Sequence, residues 1–139
     1  MTKIIELKDR MYNVEITCRV LDISKPRIVS TRRGETIIRE VTVGDETGRT
    51  TLTLWGEIGN ELKLGGVVKI RGAWTSSYKG KVNLNAGNKT RFEEVTDPDF
   101  PSQDKIPLQS PYVFDDTQLR TDEKKKQKIR MKENRLEED

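Results

Sequence analysis

Thr50-Thr51-Leu52-Thr53-Leu54-Trp55 decides how this chain reads. Apolar and polar residues alternate with a period of two, so Leu52 and Leu54 share one face of a strand while Thr51, Thr53 and Trp55 share the other. With the leucines in the core, the indole of Trp55 faces outward. Only 6% of the residues are aromatic, and an indole beside two threonines calls for a flat partner to lie on it, of which a nucleic-acid base is the commonest. The alternative is an indole packed beneath a loop.

Around this strand the sequence predicts an all-β domain. Val14, Ile16, Cys18 and Val20 alternate with Glu15, Thr17 and Arg19 as a long half-buried strand. Residues 24–35, with Pro26, Gly34, Lys25, Arg27, Arg32 and Arg33, read as a basic loop. A second strand covers residues 36–43 with Val41 and Val43 inward, and Gly44-Asp45-Glu46-Thr47-Gly48 has hairpin-turn chemistry. The third strand ends at Trp55. Ile58 and Leu62 then sit four apart, which predicts one or two helical turns boxed in by Gly56, Gly59, Gly65 and Gly66. Residues 67–74 form a fourth strand, 76–80 a short loop holding Tyr78 and Lys79, and 81–86 a fifth strand with Val82, Leu84 and Ala86 inward and Lys81, Asn83 and Asn85 outward. A short sixth segment, 90–95, closes the domain with Phe92 inward.

Five short strands with a small helical connection after the third point to a five-stranded OB-fold barrel followed by a C-terminal tail. In that architecture the outer faces of strands two and three and the loops after strands one and four make the ligand groove. Trp55, Trp74 and Tyr78 are the stacking candidates, and Arg27, Arg32, Arg33, Thr53, Lys79, Lys81 and Asn83 the groove and backbone-contact candidates. Trp74 shares strand parity with Val68 and Ile70, which turns its ring inward unless Gly72 marks a bulge. The cations are either solvated surface charge or phosphate contacts, since a flexible single strand is held by charge along its backbone and stacking on its bases.

Composition bounds the rest. At 139 residues and 32% hydrophobic content there is material for one modest core. The division expected is a domain over residues 1–110 and a tail over 111–139. The formal net charge is +3, carried by the first hundred residues, which suits a polyanion without requiring one. One cysteine, Cys18, excludes an internal disulfide, and the absence of histidine excludes a Cys/His zinc site. No metal, no cofactor, no acid/base pair and no activated nucleophile is expected, so the chain reads as a non-enzyme. With no long apolar run and no signal-peptide start, it is expected to be cytoplasmic, nucleoid-associated, away from membranes and monomeric.

Several motifs in one order carry a resemblance. Val43-Gly44-Asp45-Glu46-Thr47-Gly48-Arg49, Leu52-Thr53-Leu54-Trp55-Gly56, Ala73-Trp74-Thr75, Lys79-Gly80-Lys81 and Leu84-Asn85-Ala86-Gly87 resemble the single-OB archaeal single-stranded DNA-binding proteins of the crenarchaeal type, relatives of replication protein A. The likeness covers about residues 5–110, including Phe100-Pro101 and Ile106-Pro107. It implies base stacking by Trp55, Trp74 and Tyr78, strand coating in replication, recombination and repair, and a tail that recruits partner proteins. Some relatives carry another aromatic where Asn85 stands. An RNA-binding module and a protein-interaction subunit of a larger OB complex are the rival functions.

In the tail, Pro98, Pro101, Pro107 and Pro111 forbid a continuous helix or strand. Residues 100–108 are expected to lie back on the barrel, with 112–114 left open between the barrel and a partner. From Thr121 onward, lysines and glutamates predict a frayed helix or disorder.

Overall fold

The computed structural model describes residues 1–113; Phe114 and the charged stretch from Thr121 lie outside the described residues. Alternation builds the strands: β1 (Val14–Ile23), β3 (Gly34–Asp45), β4 (Gly48–Trp55), β5 (Val67–Tyr78) and β6 (Lys81–Ala86) each turn one set of side chains inward. β1 pairs β3, β3 pairs β4, β4 runs parallel to β6, β6 pairs β5, and β5 returns to β1. That circuit is a closed five-stranded barrel of the OB type. Two further strands lie outside it, β2 (Arg27–Thr31) on β3 and β7 (Arg91–Val95) on β5.

The core is aliphatic: Ile16, Leu52, Leu54, Ile70 and Leu84 are all essentially inaccessible to solvent. Each such side chain stabilises the fold by roughly 1.5–3 kcal/mol through burial. Cys18 is buried among them, and burial pushes its thiol well above the usual cysteine range, which leaves it without nucleophilic character at neutral pH. Asp45 is fully buried as well; its carboxylate accepts hydrogen bonds from the Thr47 amide (2.8 Å), the Thr47 hydroxyl and the Ile4 amide (2.9 Å). These bonds fix the β3–β4 turn and tie the 3₁₀ turn Ile4–Glu6 against it.

Three sequence expectations change. Residues 24–35 are no open loop: β2 and β3 form a hairpin from Arg27 opposite Ile38 to Thr31 opposite Gly34. Residues 56–66 hold hydrogen-bonded turns rather than helix, with Leu62 N–H donating to the Gly59 carbonyl at 3.0 Å. Gly56, Gly59 and Gly65 all have positive φ, which breaks any helical run, while Ile58 and Leu62 pack against the core instead. Finally, β5 continues through Tyr78, so the connection to β6 is the two-residue turn Lys79-Gly80, with φ of 52° and 84°.

The chain beyond β7 lies back on the barrel through residue 113. Arg19 donates to the carbonyls of Gly65, Phe100 and Pro101, with its guanidinium 5.6 Å from the Phe100 ring centre. Arg49 donates to the carbonyls of Gln103 and Ile106. Ile106 and Pro111 are buried. Residues 112 and 113 are therefore against the barrel: Tyr112 bridges to Lys81, and Val113 N–H donates to the Gly80 carbonyl at 2.8 Å.

Candidate nucleic-acid interface

Register places the candidate side chains. Partners across antiparallel strands share a face, so Arg27, Ile38 and Trp55 form one row across β2, β3 and β4. Glu40, Thr53, Asn85 and Trp74 form the next, across β3, β4, β6 and β5. Ser76 with Asn83 and Tyr78 with Lys81 continue the same face along β5 and β6. Trp55, Thr53, Trp74, Asn83, Lys81 and Tyr78 are thus brought onto one outer surface of the barrel.

Trp74 reaches that face through a bulge. Val14 pairs with Ala73 but Ile16 pairs with Ile70, so β5 carries one extra residue between them, and Gly72 there has φ of 77°. Parity resets: Ile70 and Ala73 are both buried while Trp74 turns outward and is only partly buried. Its ring lies on the backbone of Gly87, where a Cβ would come within 3.1 Å of the indole.

Asn85 departs from its expected outward exposure. It sits on the outer face yet is only 4% exposed, because the Trp55 indole N–H donates to its Oδ1 at 3.0 Å and its Nδ2 donates to the Ser76 hydroxyl at 3.0 Å. Ile38, the partner of Trp55 across β3 and β4, is buried outside the main core cluster. The indole therefore stands beside a buried isoleucine with its polar edge satisfied, and what it offers a ligand is its π face. This orienting role is what the sequence reading missed in Asn85. The signal lay in its outward parity beside Trp74, and the parallel β4–β6 pairing that brings it to Trp55 is non-local.

The remaining candidates differ in freedom. Tyr78 is 70% exposed, and the Lys79 ammonium lies 5.4 Å from its ring centre. Arg27 is ion-paired with Glu40 across the sheet, which discounts it as a free phosphate contact. Arg32 and Arg33 stand exposed at the tip of the β2–β3 hairpin, away from the aromatic rows. Among the described residues, Arg32, Arg33, Lys79 and Lys81 form no ion pair with a carboxylate. Tyr12, 73% exposed and lining one cavity with Trp74, was not foreseen, because it precedes β1 in a stretch without periodicity.

No cluster of three or more metal-ligating side chains occurs among the described residues, and none of their helices is long and apolar enough to cross a membrane.

Residues 2–94 match the family described as single-stranded DNA binding protein Ssb-like, OB fold. The chain is 47% identical over 109 residues to the single-stranded DNA binding protein Ssb of Saccharolobus solfataricus, covering 78% of this chain and 74% of that protein. Among solved structures it is similar to the replication factor A related protein from Methanobacterium thermoautotrophicum (TM-score 0.59, 24% identity, 68% of this chain and 90% of that one). It is similar also to the second OB-fold domain of replication protein A from Methanococcus maripaludis (TM-score 0.57, 19% identity, 69% and 95%). Those two likenesses establish the fold.

Proposed function

The chain belongs to the Ssb-like, OB-fold family of single-stranded DNA-binding proteins, and from this we propose that it coats and protects exposed single strands in replication, recombination and repair, with little sequence preference. It acts as a binding protein, without catalysis and without a cofactor. Bases stack on Trp55, Trp74 and Tyr78, and the strand's phosphates meet Lys79, Lys81 and the Arg32-Arg33 hairpin tip, with Thr53 and Asn83 lining the path between. The observation that carries this reading is the Trp55–Asn85–Ser76 chain of hydrogen bonds, which holds an indole face-out on the barrel. A preset ring loses little freedom when a base lies on it, and any base has a π face to offer.

Titration of tryptophan emission with oligo-dT tests the reading. Quenching that saturates supports it, and a competing RNA oligomer of matched sequence measures the preference for deoxyribose. Emission unchanged by oligo-dT at low salt overturns it.

The same reading makes residues 114–139 a tether for partner proteins, with the protein a monomer in the cytoplasm, associated with the nucleoid. All three proposed stacking rings lie before residue 114, and from Thr121 onward basic and acidic residues nearly balance. Removing residues 116–139 is expected to leave the Tm and the oligo-dT affinity nearly unchanged. A tenfold loss of affinity at matched salt would mean that Lys124, Lys125, Lys126 and Lys128 grip the strand directly.

A further inference from the structure

Tyr12 stands beside Trp74 by construction. Thr75 N–H donates to the Met11 carbonyl at 2.9 Å, and Met11 N–H donates to the Thr75 hydroxyl at 2.8 Å. Val14 pairs with Ala73. These anchors on either side force residues 12 and 13 to run along Trp74, and Met11 packs against the core to hold them there. Arg10 and Asn13 adopt left-handed backbone, φ of 59° and 53°, a conformation that asparagine takes readily and that is uncommon for arginine. The outcome is a tyrosine presented to solvent on a fixed turn, 73% exposed.

Between Tyr12 and Trp74 lies an open cavity of about 370 Å³, whose walls also include Asn13, Gly87, Asn88 and Lys89. No carboxylate lines it. A larger concavity, about 730 Å³, is lined by Glu46, Glu93, Asp97 and Asp99 together with Lys3, Lys69 and Arg71, and those three cations are already paired with Glu46, Glu15 and Glu93, which leaves little free positive charge for a polyanion. The smaller one therefore combines aromatic rings, amides able to meet a base edge, and a cation able to meet a phosphate, and it is continuous with the face that Trp74 presents.

Building on the proposed function, we propose that Tyr12 is a fourth stacking ring. It forms with Trp74, Asn88 and Lys89 a terminal subsite for one nucleotide of a single strand. The nucleobase enters the cavity between the two aromatic side chains, and the Lys89 ammonium meets its phosphate. This lengthens the binding track beyond Trp74.

The test uses the full chain with oligo-dT of increasing length, read by tryptophan emission at fixed salt, in the wild type and in Tyr12→Ala, Tyr12→Phe and Trp55→Ala. Tyr12→Ala is expected to weaken binding about fivefold or more for oligomers that span the groove, while Tyr12→Phe stays within about twofold of wild type. The shortest oligomer that saturates the signal should be one nucleotide shorter for Tyr12→Ala. An unchanged Tm for Tyr12→Ala excludes unfolding as the cause. Wild-type affinity of Tyr12→Ala at every length, with Trp55→Ala impaired, overturns the subsite and leaves the proposed function standing. Equal losses in the Ala and Phe variants overturn stacking as its basis. No binding by the wild type removes both readings together.

Discussion

Two faces of the barrel carry cations and aromatic rings, and they differ in whether those cations are already paired. On the β1–β5–β7 side, Lys69 pairs with Glu15 at 3.0 Å, and Arg71 lies 3.6 Å from Glu15 and 3.9 Å from Glu93. Arg19 there is spent on backbone carbonyls and on the Phe100 ring. On the β4–β6–β5 side, Lys79 and Lys81 have no carboxylate partner among the described residues, and Trp55, Trp74 and Tyr78 lie in the same surface. A net charge of +3 does not distinguish the two faces. What distinguishes them is where the carboxylates fall, since a cation already paired loses as much as it gains when a phosphate replaces its partner.

The strongest way to break this comparison is to remove the rings. Trp55→Ala with Trp74→Ala is expected to cost roughly 2 to 6 kcal/mol of oligo-dT binding, taking about 1 to 3 per stacked base and independent sites. Either single change should cost half as much; Trp55→Ala also leaves the buried Asn85 Oδ1 without its donor, so its Tm should fall modestly and is read beside the binding loss to separate the two effects. Competition binding of the three variants against wild type measures it, and a double variant that binds normally would place the strand on the other face.

Salt dependence sharpens the contrast next. With roughly three or four phosphates neutralised, the log–log slope for a single strand is expected near −2 to −3, about −0.7 per contact. Arg32→Ala with Arg33→Ala should flatten it, and Arg71→Ala should leave it alone. Equal flattening by Arg71→Ala would erase the distinction between the faces.

A smaller effect is expected at the β5–β6 turn. The Tyr112 hydroxyl donates to the Lys79 carbonyl at 2.8 Å, and its ring fills the space where a Gly80 Cβ would stand. Tyr112→Ala should destabilise the fold by about 1 kcal/mol and release the turn that carries Tyr78 and Lys79. Thermal melts together with oligo-dT titration check it; unchanged values in both would show that the turn holds itself.

The smallest effect belongs to the paired face. The hydrogen bond from Lys69, helped by the charges of Lys69, Arg71 and the N-terminal ammonium, holds the Glu15 carboxyl below the usual glutamate range. A lowered folded-state pKa means stability that is present above the usual range and fades as the pH falls through the lowered value. Glu15→Gln should therefore melt slightly below wild type at neutral pH and level with it in acid, because Glu15 is at the surface and solvent screens the pair. Melts across that range read it. Oligo-dT affinity should stay at the wild-type value; a gain would show that freeing Lys69 and Arg71 recruits this face.

Where burial is enforced on one side of a strand, the pattern was legible in one dimension. β6 follows the predicted bounds, β4 ends at Trp55 as predicted, and the leucines of β4 face the core. β2 was invisible for the opposite reason: it is an extra strand whose residues are mostly exposed, so no alternation marks it. The Ile58–Leu62 spacing suggested helix because two apolar residues capping the barrel end can share that spacing without one.

The sequence by itself determined the barrel's alternation, the outward parity of Trp55 and the family resemblance, because each is written in contiguous residues. Tertiary structure decided which way Trp74 points, what Asn85 does, which arginines are consumed by backbone carbonyls, and that Tyr12 joins Trp74. Each of these depends on pairings between segments far apart in the chain: a bulge seen only against β1, a parallel contact between β4 and β6, and a C-terminal stretch laid across β1 and β4. Periodicity reports which side of a strand is buried, but only closure of the sheet sets which side chains become neighbours on the other side.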